Sequence, residues 1–301
     1  MLRILKSREW FANDAFPIAV ERREPQTPFP SHRHEFSEIV FITGGKGLHV
    51  VGSESWPLTA GDVFVIGGPQ THAYRNLENL RLINLLFQPE KLFMEKPDLA
   101  TLPGYHALFT LEPAWRRRHQ FQSRLHLSPR ELDTVLALVE QLEAELRDRP
   151  PGFGFMSTAL FMQIVGQLSR FYGRSRNPST RHLLRLANTI TQLETRLHEP
   201  VKLDNLASQS GMSPRSFIRA FRAATGLSPI AYLIQLRINR AAAVLRTTNQ
   251  PITEIAFQVG FNDSNYFTRQ FVKLLGCSPR RYRRRQALDG KTAPARKSAA
   301  Q

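Results

Sequence analysis

Between Leu206 and Tyr282 the chain carries the same short text twice, and that repetition narrows what the region can fold into. The first copy reads LASQSGMSPRSFIRAFRAATGLSPIAY, Leu206 to Tyr232, and the second IAFQVGFNDSNYFTRQFVKLLGCSPRRY, Ile255 to Tyr282. Ala207 and Gly211 return as Ala256 and Gly260. Phe217, Phe221, Gly226, Ser228, Pro229 and Tyr232 return as Phe267, Phe271, Gly276, Ser278, Pro279 and Tyr282. The spacing grows by one residue just after the first glycine of each copy. An extra residue in a turn, with registered segments on both sides, is the mark of a duplicated structural unit.

Each copy predicts helix, turn, helix. The small Ala lies four residues before a Gly that can end a helix in the left-handed conformation. Ser213-Pro214, and Asn262-Asp263-Ser264 in the second copy, are residue types that cap and open the next helix. Phe217 and Phe221, like Phe267 and Phe271, stand four apart on one apolar face. The opposite face carries Arg215, Arg219 and Arg222 in the first copy, and Asn265, Arg269 and Lys273 in the second. A small residue at the helix crossing, a tight turn and a polar second helix describe a unit that reads DNA.

The charge has the same address. Arg181 to Arg285 holds 17 Lys and Arg against 5 Asp and Glu, a net of +12, whereas Met1 to Thr180 has a net of only +2, within a formal total of +16. A domain that neutralises phosphates needs such concentration.

Leu203 to Arg283 resembles the DNA-binding domain of the AraC/XylS family of bacterial transcription regulators, on GLSPIAYLIQLRINRAAAVL and GFNDSNYF as well as the repeats. The resemblance implies two helix–turn–helix units joined by a long helix, reading successive major-groove segments of one face of double-stranded promoter DNA. Arg215 and Arg219 suit guanine O6 and N7, and Asn265 suits adenine. Asp263 is open between accepting from cytosine and capping its helix. Ser216, Arg222 and Arg269 complete the expected DNA-binding set, and Arg237 and Arg240 on the connecting helix are candidates for phosphate. The resemblance also implies contact with RNA polymerase.

Met1 to about Phe93 reads as all-β. Short β-rich runs at Ile18–Val20, Glu38–Ile42, Gly47–Val51, Asp62–Ile66 and Arg81–Phe87 are separated by Gly-containing turns, the pattern of a sandwich or small barrel. Within it, His32, His34 and Glu38 form H-x-H-x3-E, and His72 follows the Gly61-Asp62 turn. This resembles the two motifs of the cupin fold, whose metal-binding members hold an ion with three His and the Glu. Here the leading Gly is missing and the second motif is altered to P-Q-T-H, Pro69 to His72. Three readings stand: a metallo-cupin enzyme fused to a DNA-binding domain, a polar effector pocket of His32, His34, Glu38, His49 and His72, or a set of solvated rim residues. The effector pocket, with no metal, no cofactor and no catalysis, is the expectation, because sensory domains of sugar regulators in this family resemble cupins. Phe29 to Val50 and Asn76 to Phe87 are similar to the rhamnose-responsive subgroup, which implies a deoxyhexose such as L-rhamnose.

Arg116-Arg117-Arg118 reads as a solvated charge run. Ser128 and Glu131 spell a capping box, opening a helix with Leu132, Val135, Leu136, Val139, Leu142 and Leu146 on one face. A second helix is expected from about Phe155 to Tyr172. Such a hairpin forms the dimer interface in relatives, which implies a homodimer. Among 301 residues there is one cysteine, Cys277, which excludes a disulfide framework and suits a reducing cytoplasm. No secretory signal or membrane span is expected.

The expected fold is therefore α+β and multidomain. A cupin-like β-barrel with a helical hairpin fills 1–173, a linker 174–181, and an all-α DNA-binding domain 182–285. The helix–turn–helix units fall at about 203–224 and 251–274, with a disordered basic tail over 286–301.

Overall fold

A computed structural model describes residues 3–11, 16–92, 98–113, 125–175 and 178–289. Its contacts divide the chain into two compact units. The first runs to Thr191 and takes in Gln209–Gly211 and Ala223–Thr225. The second holds Gln192–Ser208, Met212–Arg222 and the chain from Gly226.

The first unit is built on antiparallel strands. They are β2 (Ile18–Arg23), β4 (Ser37–Val51), β5 (Glu54–Leu58), β6 (Asp62–Ile66), β7 (Ala73–Phe87) and β8 (Leu125–His126), ordered β2-β7-β4-β6-β8 with β5 beside β4. A parallel pair, β1 (Arg3–Leu5) and β3 (His32–His34), lies apart from that sheet. The Gly-containing turn expected between Glu38–Ile42 and Gly47–Val51, at Gly44-Gly45, is instead strand. β4 continues through it with register shifts against β7 between Ile42 and Leu48, because bulges absorb extra residues and bend the pair without ending it. Val40, Ile42, Leu58, Phe64, Ile66, Tyr74, Leu80 and Leu82 form one core cluster. Leu5, Phe11, Phe36 and Leu86 form another, which ties the amino-terminal segment, with its short helix α1 (Ser7–Trp10), to the sheet.

Beyond the short helix α2 (Pro103–Tyr105), the hairpin consists of α3 (Pro129–Asp148) and α4 (Phe153–Arg174). The capping box is present: Ser128 N–H and Oγ both donate to Glu131 Oε2, at 2.9 and 2.8 Å. Val135, Leu138, Val139 and Leu142 turn inward, with Leu138 rather than Leu136 in the buried stripe. Phe161 meets Phe87 of the sheet at 5.2 Å, and Arg22 of β2 pairs with Glu143 at 2.8 Å.

The helical part contains α5 (Pro178–Thr195), α6 (Leu203–Gln209), α7 (Pro214–Thr225), α8 (Pro229–Thr247), α9 (Ile252–Gln258), α10 (Ser264–Leu275) and α11 (Pro279–Asp289). The architecture is thus the expected one: a sheet-rich amino-terminal part and an all-helical carboxy-terminal part with two helix–turn–helix units joined by a long helix. The described strands make a sheet whose hydrogen-bonded order does not close on itself. Two boundaries differ. The segment expected as linker is largely helical, since α4 ends at Arg174 and α5 starts at Pro178, where Pro suits a first helical turn. Likewise α11 carries helix through Asp289, past the expected start of a disordered tail. Residues 290–301 and Arg116-Arg117-Arg118 lie outside the described residues. Among the described residues no helix is long and apolar enough to cross a membrane.

Candidate nucleic-acid interface and sensory pocket

The duplication holds down to individual atoms. Ser213 caps α7 by accepting from Ser216 N–H at 3.3 Å, and Asp263 caps α10 by accepting from Tyr266 N–H at 2.6 Å. Ser228 and Ser278 do the same for α8 and α11, accepting from Ala231 and Arg281 N–H, both at 3.3 Å. Gly226 and Gly276 end α7 and α10 at φ of 79° and 73°. Phe217, Phe221, Phe267 and Phe271 are all 0% exposed, so they are core and cannot stack on bases. Phe221 meets Tyr232 at 5.5 Å and 76°, and Phe271 meets Tyr282 at 5.5 Å and 79°.

The exposed faces of α7 and α10, by contrast, differ. Arg215, Arg219 and Arg222 are exposed on α7, as are Asn265, Arg269 and Lys273 on α10. Ser216 is half-buried, and its Oγ accepts from Ser213 Oγ at 3.0 Å, so it belongs to the cap as well as the surface. Asp263 has one oxygen in its cap and is itself exposed. Arg269 lies over the Tyr266 ring at 5.9 Å, which steadies its long side chain. The helices that follow diverge most. Ile230, Ala231, Leu233, Ile234 and Gln235 of α8 correspond to Arg280, Arg281, Arg283, Arg284 and Arg285 of α11. Arg281, Arg284 and Arg285 line a basic hollow beside Gly276 and Cys277. Arg237, expected as a phosphate contact, is occupied elsewhere. It donates to the carbonyl oxygens of Leu197 (2.6 Å) and Glu199 (2.9 Å).

In the first unit the structure brings His32, His34, Glu38, His49 and His72 together, all buried. Backbone pairing does this. His32 and His72 exchange N–H···O bonds of 3.0 and 2.9 Å, and His49 sits opposite Tyr74 in the β4–β7 register. The His32 and His72 rings are 4.2 Å apart, and those of His49 and His72 5.6 Å. The Nδ1 atoms of His32, His34 and His72 face the carbonyl oxygens of Pro30, Phe36 and Gln70. A carbonyl only accepts, so Nδ1 carries the proton in each ring. The Nε2 atoms of His34 and His72 then point at Glu38 Oε1, at 3.5 and 3.3 Å. Those distances leave all three atoms without a well-formed hydrogen bond inside the protein.

Two kinds of positive charge suit that arrangement. His34, Glu38 and His72 offer ligand atoms within 4.8 Å of one another, a two-imidazole, one-carboxylate set that fits a divalent transition metal. A proton on His34 answers the same need. Burial pulls His34 down, but the adjacent Glu38 charge, with the hydrogen bond to Phe36 O, raises it above the usual imidazole value. Burial likewise pushes Glu38 up, but the nearness of His34 above all, and of His72, outweighs it and holds the carboxyl well below its usual range. His32 is lowered to about 4, first by burial and then by His72.

A cavity adjoins the cluster. Glu38 and His32 line it, whereas His34, His49 and His72 pack behind. Sequence reasoning missed Trp10, Arg23, Gln26 and Asn84, which also line it. Asn84 did leave a signal, as the lone amide in the apolar run Leu82 to Phe87. Trp10 left none, because its place depends on the β1–β3 pairing.

Residues 206–285 match the model of a helix-turn-helix domain, and residues 17–162 match that of the AraC-like ligand binding domain. The chain is similar to the HTH-type transcriptional activator RhaR of Mannheimia succiniciproducens, 31% identical over 281 residues, which span 93% of this chain and 96% of that protein. It is 33% identical over 283 residues to the activator of the same name from Enterobacter sp., spanning 94% and 96%. Among solved structures, the DNA-binding domain of AdpA, a global transcriptional factor, in complex with a target DNA aligns at 31% identity. It covers 36% of this chain and 98% of that one, with a TM-score of 0.35. Duplicated DNA-reading units behind a ligand-binding domain, and activators alike along almost their whole length, lead to one assignment: the chain belongs to the AraC/XylS family and is a DNA-binding transcriptional activator.

Proposed function

We propose that a neutral sugar, with L-rhamnose or a close deoxysugar as first candidate, binds the amino-terminal unit and sets how strongly this activator drives carbohydrate-catabolism promoters. The observation that carries the reading is the buried polar cluster of His32, His34, Glu38, His49 and His72 beside a cavity. Imidazoles that can donate or accept, plus one carboxylate, match hydroxyl groups, which also do both. An anionic ligand would be repelled by Glu38. The likeness to activators named RhaR supports placing rhamnose first.

On the DNA side, Arg215 and Arg219 read guanines, Asn265 reads adenine, and Ser216, Arg222, Asp263 and Arg269 complete the contacts. Residues 1–173 form the effector and dimerisation domain and 182–285 the DNA-binding domain. The protein acts in the cytoplasm as a homodimer and recruits RNA polymerase. Exposure of Phe155 (78%) and Met156 (47%) at the start of α4 supports a covered face on the hairpin. The test is promoter binding and in vitro transcription by the full-length protein, with and without L-rhamnose, L-fucose and D-glucose. A rise in transcription with a deoxyhexose and not with D-glucose is expected, and no response to any of them would remove the sugar from the account.

A further inference from the structure

The cavity beside the histidine cluster gathers polar atoms from three separate elements and leaves them without a hydrogen bond inside the protein. Trp10 comes from α1, Glu38 from β4 and Asn84 from β7, and all three line the same space. The indole Nε1 of Trp10, Oε1 of Glu38 and Oδ1 of Asn84 are shut off from solvent and lack a hydrogen bond within the chain. Buried polar groups in native interiors are paired with few exceptions, so three exceptions around one cavity mark a place built for something else to complete.

Their chemistry specifies the occupant. Trp10 can only donate there, and Asn84 Oδ1 and Glu38 Oε1 can only accept. Arg23, at the same cavity, is already paired with Glu21 at 3.0 Å and lies over the Trp10 ring at 5.8 Å, so its charge does not call for an anion. Beside Gln26, His32 and Tyr74, the wall also has an apolar share, Leu5, Phe29, Phe36 and Leu86. A neutral molecule with several hydroxyls along one edge and a hydrocarbon group on the other satisfies both walls.

We propose that Trp10 and Asn84 are the residues that select the effector, each pairing with one hydroxyl, while Leu5, Phe36 and Leu86 take its apolar edge. This rests on the reading that the amino-terminal unit binds a neutral sugar. It adds contacts that lie outside the histidine cluster. It also states a preference: a 6-deoxy sugar binds better than its parent hexose, because the parent would bury a hydroxyl against the apolar wall.

The test is calorimetry on the full-length protein with L-rhamnose, L-fucose and L-mannose, the last differing from L-rhamnose only by a hydroxyl at C6. Trp10→Phe and Asn84→Leu should each weaken L-rhamnose binding by about tenfold or more. Without sugar, each should melt at the parent temperature or above it, since it removes a polar atom that has no partner. L-mannose should bind the parent protein more weakly than L-rhamnose. Variants that bind L-rhamnose like the parent would overturn the assignment of Trp10 and Asn84 and leave the sugar reading standing. Variants that lose binding and melting temperature together would reduce both residues to a structural role. A parent protein that binds none of the three sugars would overturn the sugar reading itself, and this proposal with it.

Discussion

The guanidinium of Arg237 donates to the carbonyl oxygen of Leu197 at 2.6 Å, across 40 residues of chain. A second nitrogen reaches Glu199 O at 2.9 Å, and the group lies 5.9 Å from the Phe261 ring. Arg237 therefore clamps the segment after α5 to the long connecting helix α8. Arg237→Ala should lower the stability of the helical part by about 1–3 kcal/mol, because it leaves two carbonyls unpaired. The salt dependence of DNA binding should stay unchanged. Urea unfolding and a salt titration check the two halves of this expectation, and a flattened salt dependence at full stability would return Arg237 to the phosphate-binding set.

Arg215→Ala and Arg219→Ala should act in the opposite way. Both side chains are exposed on α7, so the fold should not notice their loss. Binding to the specific site should weaken by about 1–3 kcal/mol, with relaxed preference at one base pair each. Competition binding against single-base variants of the operator measures this, and undiminished discrimination would remove them from base reading.

Arg281 and Arg284 of α11 have no charged counterpart in the first copy, where Ala231 and Ile234 occupy the matching places. Replacing either by Ala should weaken binding to all sequences alike. The plot of log K against log salt should flatten by about 0.9 for every phosphate that is no longer neutralised. An unchanged slope in the double variant would show that this hollow does not face the DNA backbone.

Gly260 and Gly226 both have positive φ, 96° and 79°, yet they should respond unequally to Ala. A Cβ at Gly260 would come within 2.8 Å of His198 Cα and 2.9 Å of the Arg237 guanidinium, whereas one at Gly226 meets nothing within 4 Å. Gly226→Ala should cost about 1–2 kcal/mol for the left-handed backbone alone. Gly260→Ala should cost clearly more, and equal losses in thermal unfolding would refute the crowding.

Metal analysis of the purified protein settles what neutralises Glu38. With His34 drawn toward its protonated form, less than one equivalent of transition metal is expected, and chelator should not alter sugar binding. One tightly held equivalent would instead make His34, Glu38 and His72 a metal centre.

The helical part is legible in the sequence because its signals are local. Caps, turn glycines and phenylalanines four apart act within a dozen residues, and α6 to α10 fall close to where those signals put them. The sensory part is legible only where a short β-branched or aromatic run stands between turn signals, as at β6, whose five residues are all buried. Gly44-Gly45 reads as a turn because glycines at a bulge and glycines at a hairpin look alike until the partner strand is known. The histidines stand out because H-x-H-x3-E is a compact signature. Trp10 does not, and Asn84 shows only as an amide in an apolar run, since their convergence depends on a parallel β1–β3 contact and on the inward register of β7, neither of which is written in neighbouring residues. Arg237 misleads for the same reason: from the sequence an arginine on a basic helix is indistinguishable from one tied to a distant carbonyl.

The near-identical caps and Phe–Tyr pairs of the two helix–turn–helix copies mean that each unit works as an interchangeable mount. None of the exposed positions 215, 219 and 222, or 265, 269 and 273, contributes to the buried aromatic core that holds its helix. The two halves of an operator can therefore be rewritten one at a time: transplanting three exposed side chains from α7 onto α10 should move a preference along the DNA by one half-site without reopening the question of whether the protein folds.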